Sequence, residues 1–265
     1  MSEKSVALCE IKNKIAFVSL NRPDKYNALS IQLFEELTAI GEELISNKKI
    51  RAVILSGKGK GFCSGLDVKS AMANGGGKKL MHKDNPEDQN LAQRISLVWR
   101  EVPVPVIAAI HGVCFGGGFQ IALGADFRFA TEDSKFSIME TKWGLIPDMG
   151  ASVTLPELVN IDVAKELTFT GRIFEAPEAK TLGVITKIVE DPMQAAIEFA
   201  NQLKERSPDA VMYGKRLFNE TWLSSDGVRL KKETEFQENL IGSWNQLAAS
   251  GGNMLKTKLP FKTRK

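Results

Sequence analysis

The stretch Gly112-Val113-Cys114-Phe115-Gly116-Gly117-Gly118-Phe119-Gln120 decides how this chain is read. An apolar, strand-like run from Val104 to Ile110 leads into it, and a helix-like run from Phe119 to Leu123 follows. Three glycines at a strand-to-helix junction remove three Cβ atoms, so a ligand can approach the backbone closely. The N–H groups of a helix's first turn have no partner inside the helix and sit at the positive end of its dipole. Such a junction can hold an anion, or a negative charge that develops during a reaction. Tight turns and close helix packing use glycine equally well. Two competing motifs fail: the third glycine of the dinucleotide fingerprint would fall on Ile121, and Gly57-Lys58-Gly59-Lys60-Gly61 lacks the Gly-Lys-Ser/Thr ending of a phosphate loop.

The rest of the chain sets bounds on function. At 265 residues and 43% apolar content it can bury a substantial core in one or two domains. A net charge of +3, with both signs spread along the chain and no aromatic-interleaved basic patch, gives no sign of nucleic-acid binding. Cys9, Cys63 and Cys114 are too few and too scattered for a disulfide framework or a zinc site, and read as small packed residues. No metal-ligand spacing is present. Residues 1–4 are polar with no apolar signal core behind them, and no apolar run approaches the roughly 20 residues that span a bilayer. The expectation is a soluble protein of a reducing, cytoplasmic compartment, with no membrane partner.

Outward from the glycines, the organisation is α/β. Ala7 to Ile11 and Ile15 to Leu20 read as two strands, the second with little solvent face. Ser30 reads as the N-cap of a helix in which Leu33, Leu37, Ile40 and Leu44 recur at helical spacing. Arg51 to Leu55 is a buried strand, so a β-helix-β order repeats along the chain. The Gly75 to Asp88 stretch is the least core-like and reads as a mobile loop or loosely ordered helix. From Ala195 onward the chain is mainly helical, with Ser207-Pro208-Asp209 opening one helix. Trp222, Phe236 and Trp244 read as exposed aromatics that need a partner surface.

A second segment, Gly61-Phe62-Cys63-Ser64-Gly65-Leu66-Asp67, follows the buried strand, and Asn21-Arg22-Pro23-Asp24-Lys25-Tyr26-Asn27-Ala28-Leu29 precedes it. Together with the triple-glycine turn, in this order, they resemble the crotonase, or enoyl-CoA hydratase/isomerase, superfamily from about residue 6 to the C-terminus. The resemblance implies a crotonase-like spiral of ββα turns over residues 1–195 and a C-terminal helical trimerisation region over 196–265. It implies an acyl-CoA thioester as substrate, no cofactor beyond that CoA moiety, and a homotrimer or a hexamer built from two trimers. The basic tail from Lys256 reads as a solvated terminus, with a contact to CoA phosphates or a neighbouring subunit as the alternative.

By position, the resemblance makes the backbone N–H groups of Leu66 and Gly117 the donors to the thioester oxygen. It places Lys25, Tyr26 and Ala28 against CoA phosphates or adenine, and Ser64, Asp67 and Val68 beside the first donor. Tyr26 and Asp67 read equally well as structural polar groups. Hydratases of the family carry two glutamates. Here the first position is Gln120, an amide that can orient water but cannot exchange a proton as a carboxylate does. The second is Glu140, and Asp148 follows eight residues later. Glu140 with Asp148 resembles the dienoyl-CoA isomerase branch, although that branch usually has a third carboxylate where Gln120 stands. The dehalogenase branch fits less well, since it has Trp at the Glu140 position.

Other roles are open for these groups. Glu140 reads alternatively as a surface carboxylate after a short strand, and Asp148 as a helix cap. His111 reads as a turn residue, and His82 has no partner visible in sequence. The function expected is double-bond isomerisation of an enoyl- or dienoyl-CoA by Glu140 and Asp148. Enoyl-CoA hydration is the first alternative, with Gln120 or Asp148 positioning water. A non-catalytic CoA- or RNA-binding protein is the second.

Overall fold

A computed structural model describes residues 5–72 and 75–265; the polar residues 1–4 discussed above lie outside it. Strands β1 (Ala7–Lys12), β2 (Ile15–Leu20), β3 (Ala52–Gly57), β4 (Val106–Ile110), β6 (Phe127–Ala130) and β9 (Lys187–Ile188) form one sheet in that order. All its pairings are parallel except β1 with β2. A smaller sheet joins β5 (Val113–Phe115), β7 (Lys135–Ser137) and β8 (Phe174–Glu175). Each turn of the chain gives one strand to the large sheet and the next to the small one: β4 then β5, and β6 then β7. After β3, Cys63 takes the equivalent place by bridging Cys114 in parallel. This is the expected spiral of ββα turns.

The strands are β-branched and apolar because the parallel sheet is covered on both faces. On one face, Val53, Leu55, Val106, Ala108 and Ile110 pack in the main core with helices α1 (Ile31–Ser46) and α4 (Leu91–Glu101). The alternate residues Ala52, Ile54, Ile107 and Ala109 face the other way, onto a later helix. Short helices α2 (Val68–Met72) and α3 (Gly76–Met81) precede α4, and α5 (Gly117–Leu123) follows the glycine turn. Next come α6 (Ala151–Thr154), α7 (Ile161–Thr170) and α8 (Ala176–Thr181). Helix α9 (Pro192–Lys204) sets Ala196 and Ala200 on the second face of the sheet. Residue 195, the end of the expected core, therefore falls inside α9. Helices α10 (Pro208–Thr221), α11 (Asp226–Leu240) and α12 (Trp244–Leu255) lie beyond. None of the helices among the described residues is long and apolar enough to cross a membrane.

The cap expected at Ser30 forms, and Ser207 caps the helix it was expected to open: their hydroxyls accept from the N–H groups of Leu33 and Ala210, each at 3.3 Å. Three expectations take a more definite form. The stretch from Gly75 takes its helical alternative over Gly76–Met81, held because Leu80 is buried in the core. Phe236 is buried beside Tyr213, whereas Trp222 and Trp244 stay about half exposed, the Trp244 indole donating to the Pro260 carbonyl. The C-terminal tail is mostly exposed, as a solvated terminus would be, but its end is fixed: buried Arg264 donates to the carbonyls of Ile45 and Asn47 at 3.1 and 2.8 Å, closing off the C-terminal end of α1.

The triple glycine is a packing feature more than an open cradle. Gly116 has φ +52°, which only glycine adopts without strain. A Cβ on Gly117 would lie 2.5 Å from Met149 Sδ, and one on Gly118 would lie 2.5 Å from Cys63 Cβ. Gly118→Ala is expected to cost about 1–3 kcal/mol through overpacking. Gly214→Ala, in α10 with nothing within 4 Å of its added Cβ, is expected to gain about 0.5–1 kcal/mol. Denaturant midpoints of the two variants check both, and a Gly118→Ala variant as stable as wild type would contradict the packing account.

Candidate active site

The segment before α1 is fastened to the segment after β3. Buried Asn27 accepts from the N–H of Arg22, and its amide donates to the carbonyls of Lys58, Gly61 and Phe62 at 2.9, 2.9 and 3.1 Å. Ser64 N–H donates to Tyr26 at 2.9 Å, and Leu29 N–H to Gly65 at 2.8 Å. Lys25, Tyr26 and Ala28 therefore lie alongside Ser64 to Val68. Asp67 is bound at 3.0 Å to Arg22, which also donates to the Ala28 carbonyl. Burial pushes the Asp67 carboxyl up, but the Ser70 N–H and Arg22 outweigh it and hold it below the usual range. Asp67 takes the structural role left open for it. Tyr26 is about half exposed, at 45%.

Leu66 pairs with Leu29 in a parallel bridge whose bonds run from Leu29 N–H to Gly65 and from Asp67 N–H to Leu29. In a parallel ladder this turns the N–H of the middle residue to the opposite side. Gly117 is the first residue of α5, so its N–H has no intrahelical partner. Neither N–H has an acceptor among the described residues.

Leu66 and Gly117 line one cavity of about 440 Å³ together with Ser64, Val68, Glu140 and Asp148. Its remaining wall is mostly apolar: Phe34 from α1, Ala71 and Leu80 from α2 and α3, Ala92 from α4, and Met139, Trp143, Leu145 and Met149. Sequence reasoning missed this wall, because its residues are apolar, lie far apart in sequence and carry no local motif. Gln120, Lys25, Tyr26, Ala28 and Asp67 are not part of the lining.

Glu140 opens a 3₁₀ turn, Glu140–Trp143, just after β7. It is not a surface carboxylate: Oε2 is buried with no partner among the described residues. Oε1 accepts from Gln120 Nε2 at 2.7 Å. Burial pushes the Glu140 carboxyl above the usual glutamate range. Its own N–H and the Gln120 amide oppose this, and the Asp148 charge adds to it. Burial raises the Asp148 carboxyl as well. The alternative of Asp148 as a helix cap fails, because Gly150 starts α6 with no side-chain cap. The buried Gln120 amide is engaged at both ends: besides the Nε2 bond to Glu140, Oε1 accepts from Met149 and Ala151 N–H at 2.9 and 3.3 Å. It therefore faces the carboxylate and the backbone rather than the cavity, and the expectation that it orients water there is corrected.

The remaining candidates fall outside the cavity. His111 contacts the Gly59 carbonyl at 2.9 Å, as a turn residue, and exposed His82 meets Asp84 at 3.3 Å. Cys63 and Cys114 are fully buried, and burial pushes the Cys63 thiol up to about 12. Among the described residues no group of three His, Cys, Asp or Glu side chains is arranged to hold a metal.

Comparison with known proteins gives the family of the chain. The model of the family described as enoyl-CoA hydratase/isomerase matches residues 10–259. The chain belongs to the enoyl-CoA hydratase/isomerase family. It is thus a crotonase-superfamily enzyme. It is 38% identical over 216 residues to the enoyl-CoA hydratase/isomerase-named YngF of Bacillus subtilis, covering 80% of this chain and 81% of that one. It is 33% identical over 226 residues to the mitochondrial Δ(3,5)-Δ(2,4)-dienoyl-CoA isomerase of Mus musculus, covering 80% and 68%. The crystal structure of an enoyl-CoA hydratase from Bacillus anthracis superposes with a TM-score of 0.89 at 29% identity, covering 97% and 99%.

The raised Glu140 carboxyl has a consequence for stability in this family enzyme. The folded state holds that proton to higher pH than the unfolded chain. Glu140 thus costs nothing below the ordinary glutamate range, and its cost grows as pH rises through the raised value. The melting temperature of Glu140→Gln relative to wild type is expected to become more favourable between pH 4.5 and pH 8. Calorimetry checks this, and a difference that stays flat or reverses would contradict it.

Proposed function

We propose that this family enzyme shifts a double bond in an enoyl- or dienoyl-CoA. The N–H groups of Leu66 and Gly117 hold the thioester oxygen, and Glu140 and Asp148 move the protons. The observation that carries the reading is that two carboxyls, both raised by burial, line the same apolar cavity as two free backbone donors. Removing a proton from the acyl chain drives negative charge onto the thioester oxygen, where preorganised donors are worth the most. One carboxyl then takes a proton while the other returns one at a second carbon; burial raises both, which eases proton exchange. Supporting this over water addition, Gln120 is buried and does not line the cavity, so it is not placed to hold a water there.

The apolar wall suits an aliphatic acyl chain. The CoA body is assigned to the surface formed by Lys25, Tyr26, Ala28, Ser64 and Val68, with Asp67 bracing it through Arg22. For assembly we favour a homotrimer or a dimer of trimers. Phe218, Trp222 and Leu223 at the end of α10 are 58%, 51% and 68% exposed, and closed symmetry would cover them. Sedimentation at micromolar concentration is expected to show three or six copies, and an active 29.2 kDa species would refute this.

The test of the reaction is direct. Purified enzyme is assayed for loss or shift of dienoyl-CoA absorbance and, separately, for hydration of 2-enoyl-CoA. Glu140→Gln and Asp148→Asn are each expected to lower isomerisation by about 10²–10⁴-fold while acyl-CoA binding survives. Rapid hydration that is untouched by Asp148→Asn would sink the isomerase reading in favour of a hydratase using one carboxylate.

A further inference from the structure

We propose that Gln120 is a positioning residue. Its amide fixes Glu140 Oε1 as an acceptor, leaves buried Oε2 as the oxygen that carries the carboxyl proton, and ties the turn carrying Asp148 to the same helix. The inference rests on the proton-transfer role proposed for Glu140.

Two backbone N–H groups, those of Met149 and Ala151, point at one end of the Gln120 side chain, at 2.9 and 3.3 Å. Backbone N–H groups can only donate, so that end is the oxygen. The NH₂ group must then face Glu140, and at 2.7 Å it can only donate to Oε1. A proton on Oε1 would meet a second donor, so a protonated Glu140 carries its proton on Oε2. That atom has no partner among the described residues and belongs to a side chain lining the cavity.

In the transfer, an O–H bond to the Glu140 carboxylate forms as the substrate C–H bond breaks. The electron pair of that C–H bond moves into the thioester enolate. The two N–H groups that Gln120 accepts from flank Gly150, which has φ +94° and follows Met149 directly after Asp148. One buried side chain thus sets the placement of both carboxyls. The charged groups near Glu140 are Asp148 on this turn and exposed Lys142 on its own turn; no salt bridge reaches Glu140 among the described residues.

The test reads Glu140 itself. Its carboxyl is titrated by ¹³C NMR in glutamate-labelled enzyme without substrate, and its signal is assigned by its loss in Glu140→Gln. Gln120→Met removes the donor that favours the ionised form, so the titration is expected to move up by about one unit. Gln120→Glu keeps an oxygen for Met149 and Ala151 but sets two carboxylates about 2.7 Å apart. That pair is expected to share one proton and titrate in two separated steps. If Gln120→Met does not fold, Gln120→Glu decides alone. A Glu140 titration unchanged in the folded variants overturns the proposal, whatever their activity.

Turnover separates this inference from the one beneath it. The acidic limb of the pH–rate profile for the acyl-CoA reaction is expected to follow the Glu140 titration in each variant. A purely structural role for Gln120 would lower kcat and leave that limb in place. If the titration moves but the limb does not follow it, the positioning of Oε1 stands and the proton-transfer role of Glu140 is what fails.

Discussion

The site depends on one close contact, the backbone of Gly118 against Cys63. Cys63 and Cys114 bridge two successive turns of the spiral, and Gly118 follows where the second turn enters α5. A single methyl group on Gly118 would stand 2.5 Å from Cys63 Cβ and 2.9 Å from its carbonyl oxygen. Only glycine lets the two turns come this near. Leu66 and Gly117 owe their shared cavity to that approach, since each lies within three residues of a member of the contact. Asn27 makes the same arrangement rigid from the other side by gathering three carbonyls of the loop that leads into Phe62 and Cys63.

On this frame, neighbouring carboxylates are given different partners and so different chemistry. Asp67 meets the Ser70 N–H and the Arg22 guanidinium, which outweigh its burial and keep it ionised. It serves as a brace. Glu140 meets only a neutral amide, and one of its oxygens meets nothing. Burial then prevails, and the group is poised to gain or lose a proton. A cation in place of Gln120 would stabilise the folded protein near neutral pH and fix Glu140 as a carboxylate. The absence of a strong partner is a cost in stability that a proton-exchanging group requires.

The sequence was most legible where local rules operate. Serine caps, apolar periodicity and the order of strands were readable because each is decided within a few residues. The order of the three glycine-bearing segments carried the family, and with it the spiral. What escaped depends on distant partners. Leu80 makes a helix of a glycine-rich stretch because the core has room for it, and Arg264 finds carbonyls more than two hundred residues away. Phe236 looked exposed because its helix is otherwise charged, yet it packs on Tyr213 across the hairpin of α10 and α11. Gln120 was recognised as a departure from two glutamates, but its effect lies in hydrogen bonds to residues 29 and 31 positions away.

The division between backbone and side chain explains why relatives of this chain bear the names of different reactions. The proposed donors to the thioester oxygen are main-chain N–H groups, fixed by glycine packing and strand pairing, and no substitution of Leu66 short of proline removes its donor. Any reaction passing through a thioester enolate can use them unchanged. The proton traffic proposed for this site, by contrast, depends on side chains at three positions, 120, 140 and 148, all tied to α5 through Gln120. Exchanging an amide for a carboxylate at position 120 alters no fold element, yet it changes how many protons the cluster holds at neutral pH. Overall identity therefore reports the scaffold, and the reaction has to be read from those three side chains and the hydrogen bonds between them.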